Sequence, residues 1–225
     1  MPKERPAVQA PDAIGANANV AIIAYAMAVN PALPVQNLKE LAAYATANPT
    51  KLTDGTAGVG SLSHLIGERF KSLTKTPHML HVPYRGGGPL VIDTMGGQIS
   101  MAITLANVQL LELHRSGKLR ILAVTSPGRL LVAPDIPTAV EAGVPDMVSF
   151  IFLGVFAPRG TPKAIIDQIG EASRTAAADP AFQKVLNESG FRSDTDSTPE
   201  KMREFIRYDI GRWSPLVKEL GLKID

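Results

Sequence analysis

From Val20 to Val29 the chain is almost continuously apolar, mixing Val, Ile, Tyr and Met without helical spacing, until Asn30-Pro31 and Leu33-Pro34 stop it. Such a run predicts a buried strand. The pattern then turns helical. Asn37 is placed to cap a helix through Ala47 that carries Leu38, Leu41, Ala42 and Ala45 on one face. Lys51 to Thr56 predicts a short strand, Ala57-Gly58-Val59-Gly60 a turn, and Ser61 to Leu73 a second helix burying Leu62, Leu65, Ile66 and Phe70. The cycle repeats with a strand at Met79 to Pro83, a glycine-rich turn at Arg85 to Pro89, and a short helix at Leu90 to Met95 ended by Gly96-Gly97. Ile99 to Leu105 is a further strand, Val108 to Arg115 a helix closed by Gly117, and Leu119 to Thr125 another strand. Alternation of this kind, with short connections, predicts a mostly parallel sheet with helices on both faces. Ligands of such sheets sit beyond the carboxyl ends of the strands, where the glycine turns at 56–61 and 84–89 fall.

After Pro127 the texture changes. Pro134, Pro137, Gly143 and Pro145 mark a loop-rich passage around one short helix at Thr138 to Ala142, and Ser149 to Ala157 is a second apolar strand. Thr161-Pro162, Asp179-Pro180 and Thr198-Pro199 each pair a capping residue with proline at the first helical position, so three helices follow in series. The last is amphipathic through Met202, Phe205, Ile206, Ile210, Trp213, Leu216, Val217 and Leu220, and Pro215 is expected to kink or split it before Gly221 ends it. No strand-sized run interrupts the roughly 65 residues after Gly160, so these helices lack a sheet of their own to cover. Their apolar stripe, including Phe205, Ile206, Ile210 and Trp213, is expected to be exposed and to favour a homo-oligomer.

Composition narrows the function more than the fold. The 225 residues carry a net charge of only +2 with scattered lysines and arginines, which gives no nucleic-acid surface. The longest apolar run, about ten residues, is half of a bilayer span. Cysteine is absent, which removes disulfides, thiolate nucleophiles and cysteine metal sites. The N-terminus, with Pro2, Lys3, Glu4, Arg5, Pro6, Pro11 and Asp12, lacks the apolar core of a secretory signal and reads as a flexible tail over 1–18.

Gly58-Val59-Gly60-Ser61 opening a helix is the first candidate for chemistry. Glycines admit close approach of a ligand, the first N–H groups of a helix attract an anion, and Ser61 adds a hydroxyl. An ordinary strand-to-helix turn would look the same. The motif is not a Walker loop, since no Gly-Lys-Ser/Thr follows, and no acidic residue near position 80 would hold a ribose. Ser61 and His64 invite a hydrolase reading, but no clear orienting acid accompanies them and Gly-x-Ser-x-Gly is absent. Of the four histidines, His64, His78, His81 and His114, none has metal-ligand spacing, so no metal is expected. Asp54 and Asp93 are the carboxylates nearest the site, and Asp93 reads as a helix-surface residue. Tyr84-Arg85-Gly86-Gly87-Gly88 offers a phenol, a cation and flexible backbone at a strand end, where a plain solvent loop is the alternative.

Several segments, in order, resemble one family: the solute receptors of tripartite tricarboxylate transporters, or Bug receptors. They are Val29-Asn-Pro-Ala-Leu-Pro-Val35, Ala57-Gly-Val-Gly-Ser61 with His64, and His81-Val-Pro-Tyr-Arg-Gly-Gly87. Met95-Gly-Gly-Gln98, Gly117-Lys-Leu-Arg120, Leu122-Ala-Val-Thr-Ser126 and Pro134-Asp-Ile-Pro-Thr138 with Glu141-Ala-Gly143 continue the series. Phe156-Ala-Pro158 and Gly160-Thr-Pro162 close it, and the likeness runs from about residue 19 to the end.

The resemblance implies an α/β, periplasmic-binding-protein-like fold of the type II, Venus-flytrap kind, with one complete lobe and one partial lobe. Residues 19–29 would be a crossing strand, 30–148 the complete lobe, and 149–225 a crossing strand plus helices of the incomplete lobe. It implies a non-catalytic, extracytoplasmic receptor that captures a mono-, di- or tricarboxylate and passes it to a membrane permease, without a cofactor. Ala57, Gly58, Gly60, Ser61, His64, Tyr84, Gly86, Gly87 and Thr104 would be the ligand-binding residues, with Tyr84 and the 86–88 backbone facing the anion. Two departures stand out. The family's export signal and its Pro-Phe-x-x-Gly-Gly loop have no counterpart here, which leaves a cytoplasmic carboxylate sensor or a non-binding fragment as alternatives. Thr104 stands where the family commonly has Asp, which favours a plain carboxylate over an amino acid.

Overall fold

The computed structural model describes residues 14–158 and 160–222, and the chain divides into two compact units. The larger comprises 23–151 with 187–191 and the chain from 216 on; the smaller comprises the chain up to 22 with 152–186 and 192–215.

In the larger unit, strand β1 (Ile14–Val29, here from Ile23) is followed by α1 (Leu38–Ala47), β2 (Thr53–Thr56), α2 (Leu62–Thr74), β3 (Leu80–Pro83) and α3 (Gly87–Met95). β4 (Met101–Leu105), α4 (Val108–Arg115) and β5 (Arg120–Val124) complete it. The strand order is β3-β2-β4-β1-β5. β2 is parallel to both β3 and β4, as strands joined through helices should be. β1 runs antiparallel to both β4 and β5, so the sheet is mixed where the alternation predicts a mostly parallel one. The exception is the strand whose chain enters from the other unit rather than from a crossover helix.

Alternation along the strands sorts the helices onto two faces. Asp54 and Ile103 point at α2, where a methyl group on Gly67 would lie 2.8 Å from Asp54 Oδ2. Gly55 and Ala102 point the other way, at Leu90 of α3; a side chain on Gly55 would overlap Leu90 and Ile99. α4 shares the α3 face: Leu110 and Leu111 pack with Ala26, Ala28 and Val124, and Val91 and Met95 of α3 join them. The starts of α3 and α4 therefore lie at the carboxyl ends of β3 and β4, on one face, and α2 begins across the sheet.

Caps explain most boundaries. Asn37 accepts from the Glu40 N–H at 2.9 Å while the Glu40 carboxylate accepts from the Gln36 N–H at 2.7 Å, a reciprocal cap that starts α1. α3 begins at Gly87, three residues before the sequence pattern places it, because Gly86 makes the turn at φ +105° and Pro89 lacks only an N–H that a first helical turn leaves unbonded. It ends in a Schellman turn, with Gly97 (φ +73°) donating to Thr94 O and Gln98 to Asp93 O. The helix expected at Thr138 to Ala142 is a turn instead. Thr138 and Glu141 cap each other reciprocally, but Gly143 at φ +87° and then Pro145 stop it after one turn.

In the smaller unit, β6 (Phe150–Pro158) and the two-residue β7 (Arg192–Ser193) both pair with β1; β7 lies opposite Ala21 and Ile22. β7 is a strand where none was expected, too short to leave a periodic signal. β1 itself begins at Ile14, inside the segment expected to be a tail, and the rest of that segment lies outside the described residues. Helices α5 (Lys163–Ala178), α6 (Pro180–Glu188) and α7 (Pro199–Glu219) follow. Asp179 and Thr198 cap α6 and α7 through the Phe182 and Lys201 N–H groups. Pro162, not Thr161, occupies the cap position of α5, and the Thr161 hydroxyl donates to Pro158 O. Pro215 does not split α7, which stays one helix. Its apolar stripe is partly covered: Met202 and Trp213 are buried, Phe205 stacks edge-on against Phe152 at 5.4 Å, and Ile210 stays exposed.

Candidate functional site

Residues 57–61 form a tight loop held by its own hydrogen bonds. The Ala57 N–H donates to Ser63 Oγ at 3.0 Å, Gly60 N–H to His64 Nδ1 at 3.2 Å, and Ser61 N–H to Gly58 O at 3.2 Å. Ser61 caps α2 by accepting from the His64 N–H and donates its own proton to Gly58 O at 2.7 Å. The loop expected to offer unbonded N–H groups and a serine hydroxyl thus satisfies four of these donors internally. Gly58 (φ +131°) and Gly60 (φ +77°) are glycine for backbone reasons. Since Nδ1 of His64 accepts, its proton sits on Nε2, 3.7 Å from Glu68. Ser61 and His64 are joined through a cap and not as nucleophile and base.

Behind this loop is a buried polar chain that sequence reading missed. The rings of His64 and His81 stack at 4.0 Å, and His81 Nε2 lies 2.7 Å from Thr56 Oγ1. Burial lowers the His64 pKa and pushes that of His81 down to about 4, the neighbouring His64 and Lys71 charges adding to it. Lys71 Nζ, itself buried, sits 2.6 Å from Glu68 and 3.2 Å from Asp54, whose carboxylate is fully buried. Burial raises the Asp54 pKa to about 6 against the opposing pull of Lys71. The spacing Glu68-x-x-Lys71 is the only hint the sequence carries, and an exposed helical ion pair would show the same pattern.

The start of α3 differs from those of α1, α2 and α4. Asn37, Ser61 and Asn107 each accept a backbone N–H at the first turn of their helix, whereas Gly86 provides no side-chain cap. Pro89 has no N–H, so the donors of this turn without a partner among the described residues are those of Gly87 and Gly88. Thr104 stands beside them: a methyl group on Gly87 would lie 2.8 Å from Thr104 Oγ1. These residues open into a cavity of about 690 Å³. Ala57, Gly87, Gly88, Thr104 and Asn107 lie at one part of its lining, and Val91, Ile92, Met95, Leu110 and Leu113 supply an apolar wall. Gln109 also lines it, and none of the described lining residues is charged.

Of the residues singled out from the sequence, Ala57, Gly87 and Thr104 line this cavity and Gly86 adjoins it. Gly58, Gly60, Ser61 and His64 form the loop beside Ala57 without lining it. Tyr84, expected to face the anion, turns elsewhere: its hydroxyl donates to Asp93 at 2.7 Å and its ring packs near Leu90 and Ile99. Tyr25, Asn107 and Ile151 line the cavity and were not singled out. Asn107 was findable as the polar residue immediately before a helical run.

Residues 10–222 match the family model of the tripartite tricarboxylate transporter family receptor, TctC. The chain belongs to this family. Among its TctC relatives, a UPF0065 protein of Bordetella pertussis is 34% identical over 194 residues, 86% of this chain and 59% of the relative. Protein BugT of the same organism is 33% identical over 199 residues, 88% of this chain and 60% of BugT. The chain thus spans about 60% of the length of these relatives. Solved structures that share the TctC fold include the periplasmic binding protein BugD, with a TM-score of 0.79 and 29% identity over 95% of this chain and 71% of BugD. Rpa4515 of R. palustris, solved with adipate, gives 0.81 and 29% over 93% of this chain and 69% of that one. MatC of Rhodopseudomonas palustris, solved with bound malate, gives 0.80 and 26% over 95% and 73%. The α/β fold is therefore that of periplasmic binding proteins of the TctC and Bug type.

Proposed function

We propose that this chain is the ligand-capturing part of a periplasmic receptor that binds a small carboxylate for a tripartite tricarboxylate permease, without catalysis. The uncapped start of α3, opening into a cavity, carries this reading. A helix start bears partial positive charge, so the Gly87 and Gly88 N–H groups receive a carboxylate without a lysine or arginine. Thr104 contributes a hydroxyl donor, and Asn107, whose Oδ1 is committed to the Leu110 N–H, offers its amide donors. The 57–61 loop sets the wall at Ala57. The ligands of Rpa4515 and MatC, adipate and malate, are of the same chemical class.

Calorimetric titration of the chain with adipate and malate tests this. Gly87→Val puts a branched side chain against Thr104 and between the donors and the ligand, so at least a tenfold loss of affinity is expected with the fold retained by circular dichroism. Unchanged affinity in that variant would place the carboxylate elsewhere.

A further inference from the structure

We propose that the carboxylate this chain takes is one with a largely apolar body, lying along the groove between α3 and α4; this rests on the reading that its carboxylate meets the start of α3. Polar groups line the cavity at the starts of α3 and α4, from Gly87, Gly88, Asn107 and Gln109, and at Thr104, and apolar side chains line it further along both helices. Its wall is built from Val91, Ile92 and Met95 of α3 with Leu110 and Leu113 of α4. From Gly87 to Met95 the axis of α3 advances about 12 Å, so the groove continues well past the donors at Gly87 and Gly88. Val91, Met95 and Leu113 rest on the core beneath and give the groove a fixed floor. Ile92 is 63% exposed, an isoleucine left facing water at the rim.

Charge decides the ligand class. With no charged residue among the described residues of the lining, a second carboxylate drawn past Gln109 into the groove would lose its hydration against Val, Ile, Met and Leu with no cation in return. Methylene or aromatic groups there would gain free energy from burial instead. The groove therefore selects against short, hydroxylated di- and tricarboxylates and in favour of an acyl or aryl monocarboxylate.

The test is a calorimetric comparison of hexanoate and phenylacetate with malate and citrate on the same chain, repeated on Ile92→Asn and Leu113→Asn. Ile92→Asn alters a side chain already in water, so it should fold as the parent does. The expected result is hexanoate or phenylacetate binding at least tenfold more tightly than malate or citrate, with either variant weakening the apolar ligands severalfold and leaving malate unaffected. Malate or citrate binding equally or more tightly would overturn the apolar-body inference while leaving the carboxylate site in place. Absence of binding by all four would overturn both.

Discussion

His64 holds the 57–61 loop through an acceptor nitrogen and stacks on His81, which is bonded to Thr56, and the arrangement depends on both rings being neutral. A protonated His64 cannot accept from the Gly60 N–H, and two adjacent imidazolium rings repel. Their folded-state pKa values lie below the ordinary value of 6.5, His81 at about 4. A base whose pKa is depressed on folding adds stability above its unfolded pKa and loses it as pH falls. The contribution of the pair is thus complete above about pH 6.5 and declines toward pH 4. Asp54 works in the opposite sense, because its raised pKa of about 6 favours the folded state at low pH and loses that contribution as pH rises. Urea denaturation of the parent and of His81→Gln at pH 7.5 and pH 5 separates the two. The stability advantage of the parent should shrink at pH 5; an advantage independent of pH would mean that His81 is not held neutral by burial.

At the scale of elements, α2 and α3 start alike in sequence, each with glycines after a strand, and end up with different roles. Ser61 and His64 close the start of α2 on itself, while Gly86 leaves that of α3 open. The sequence shows glycines in both places and cannot show which N–H groups find partners, since Ser63 and His64 reach back across the loop only once it has folded. Most helices and the parallel strand pairs were legible because each obeys a local period and a local cap. The buried Asp54–Lys71–Glu68 chain was not, because its members come from β2 and from α2 and meet only when Gly67 brings the helix down on the strand. Removing the cation from this buried set should be costly. Lys71→Met is expected to lose about 3–5 kcal/mol at pH 8, the usual penalty for an orphaned buried charge. The loss should be smaller at pH 5, where Asp54 takes up a proton, and smaller still in Lys71→Met with Asp54→Asn. Chemical denaturation of the three proteins checks this, and an equal loss in the double variant would show that the two residues are not coupled.

For the whole molecule, family and fold were readable from ordered motifs whose individual content is slight, among them Ala57-Gly-Val-Gly-Ser61 and His81-Val-Pro-Tyr-Arg-Gly-Gly87. The candidate site was legible only in part. The glycine turns lie at the expected strand ends, but the donors left unbonded belong to the second turn, and Tyr84 is spent on Asp93. The most direct test of a carboxylate at the start of α3 is a titration of the isotope-labelled chain with adipate, followed by amide proton and nitrogen NMR. The Gly87 and Gly88 amide resonances should move most, downfield in the proton dimension as they gain a charged acceptor, while those of Gly60 and Ser61 move little. Saturable binding with Gly87 and Gly88 unmoved and the shifts confined to residues 58–61 would contradict it.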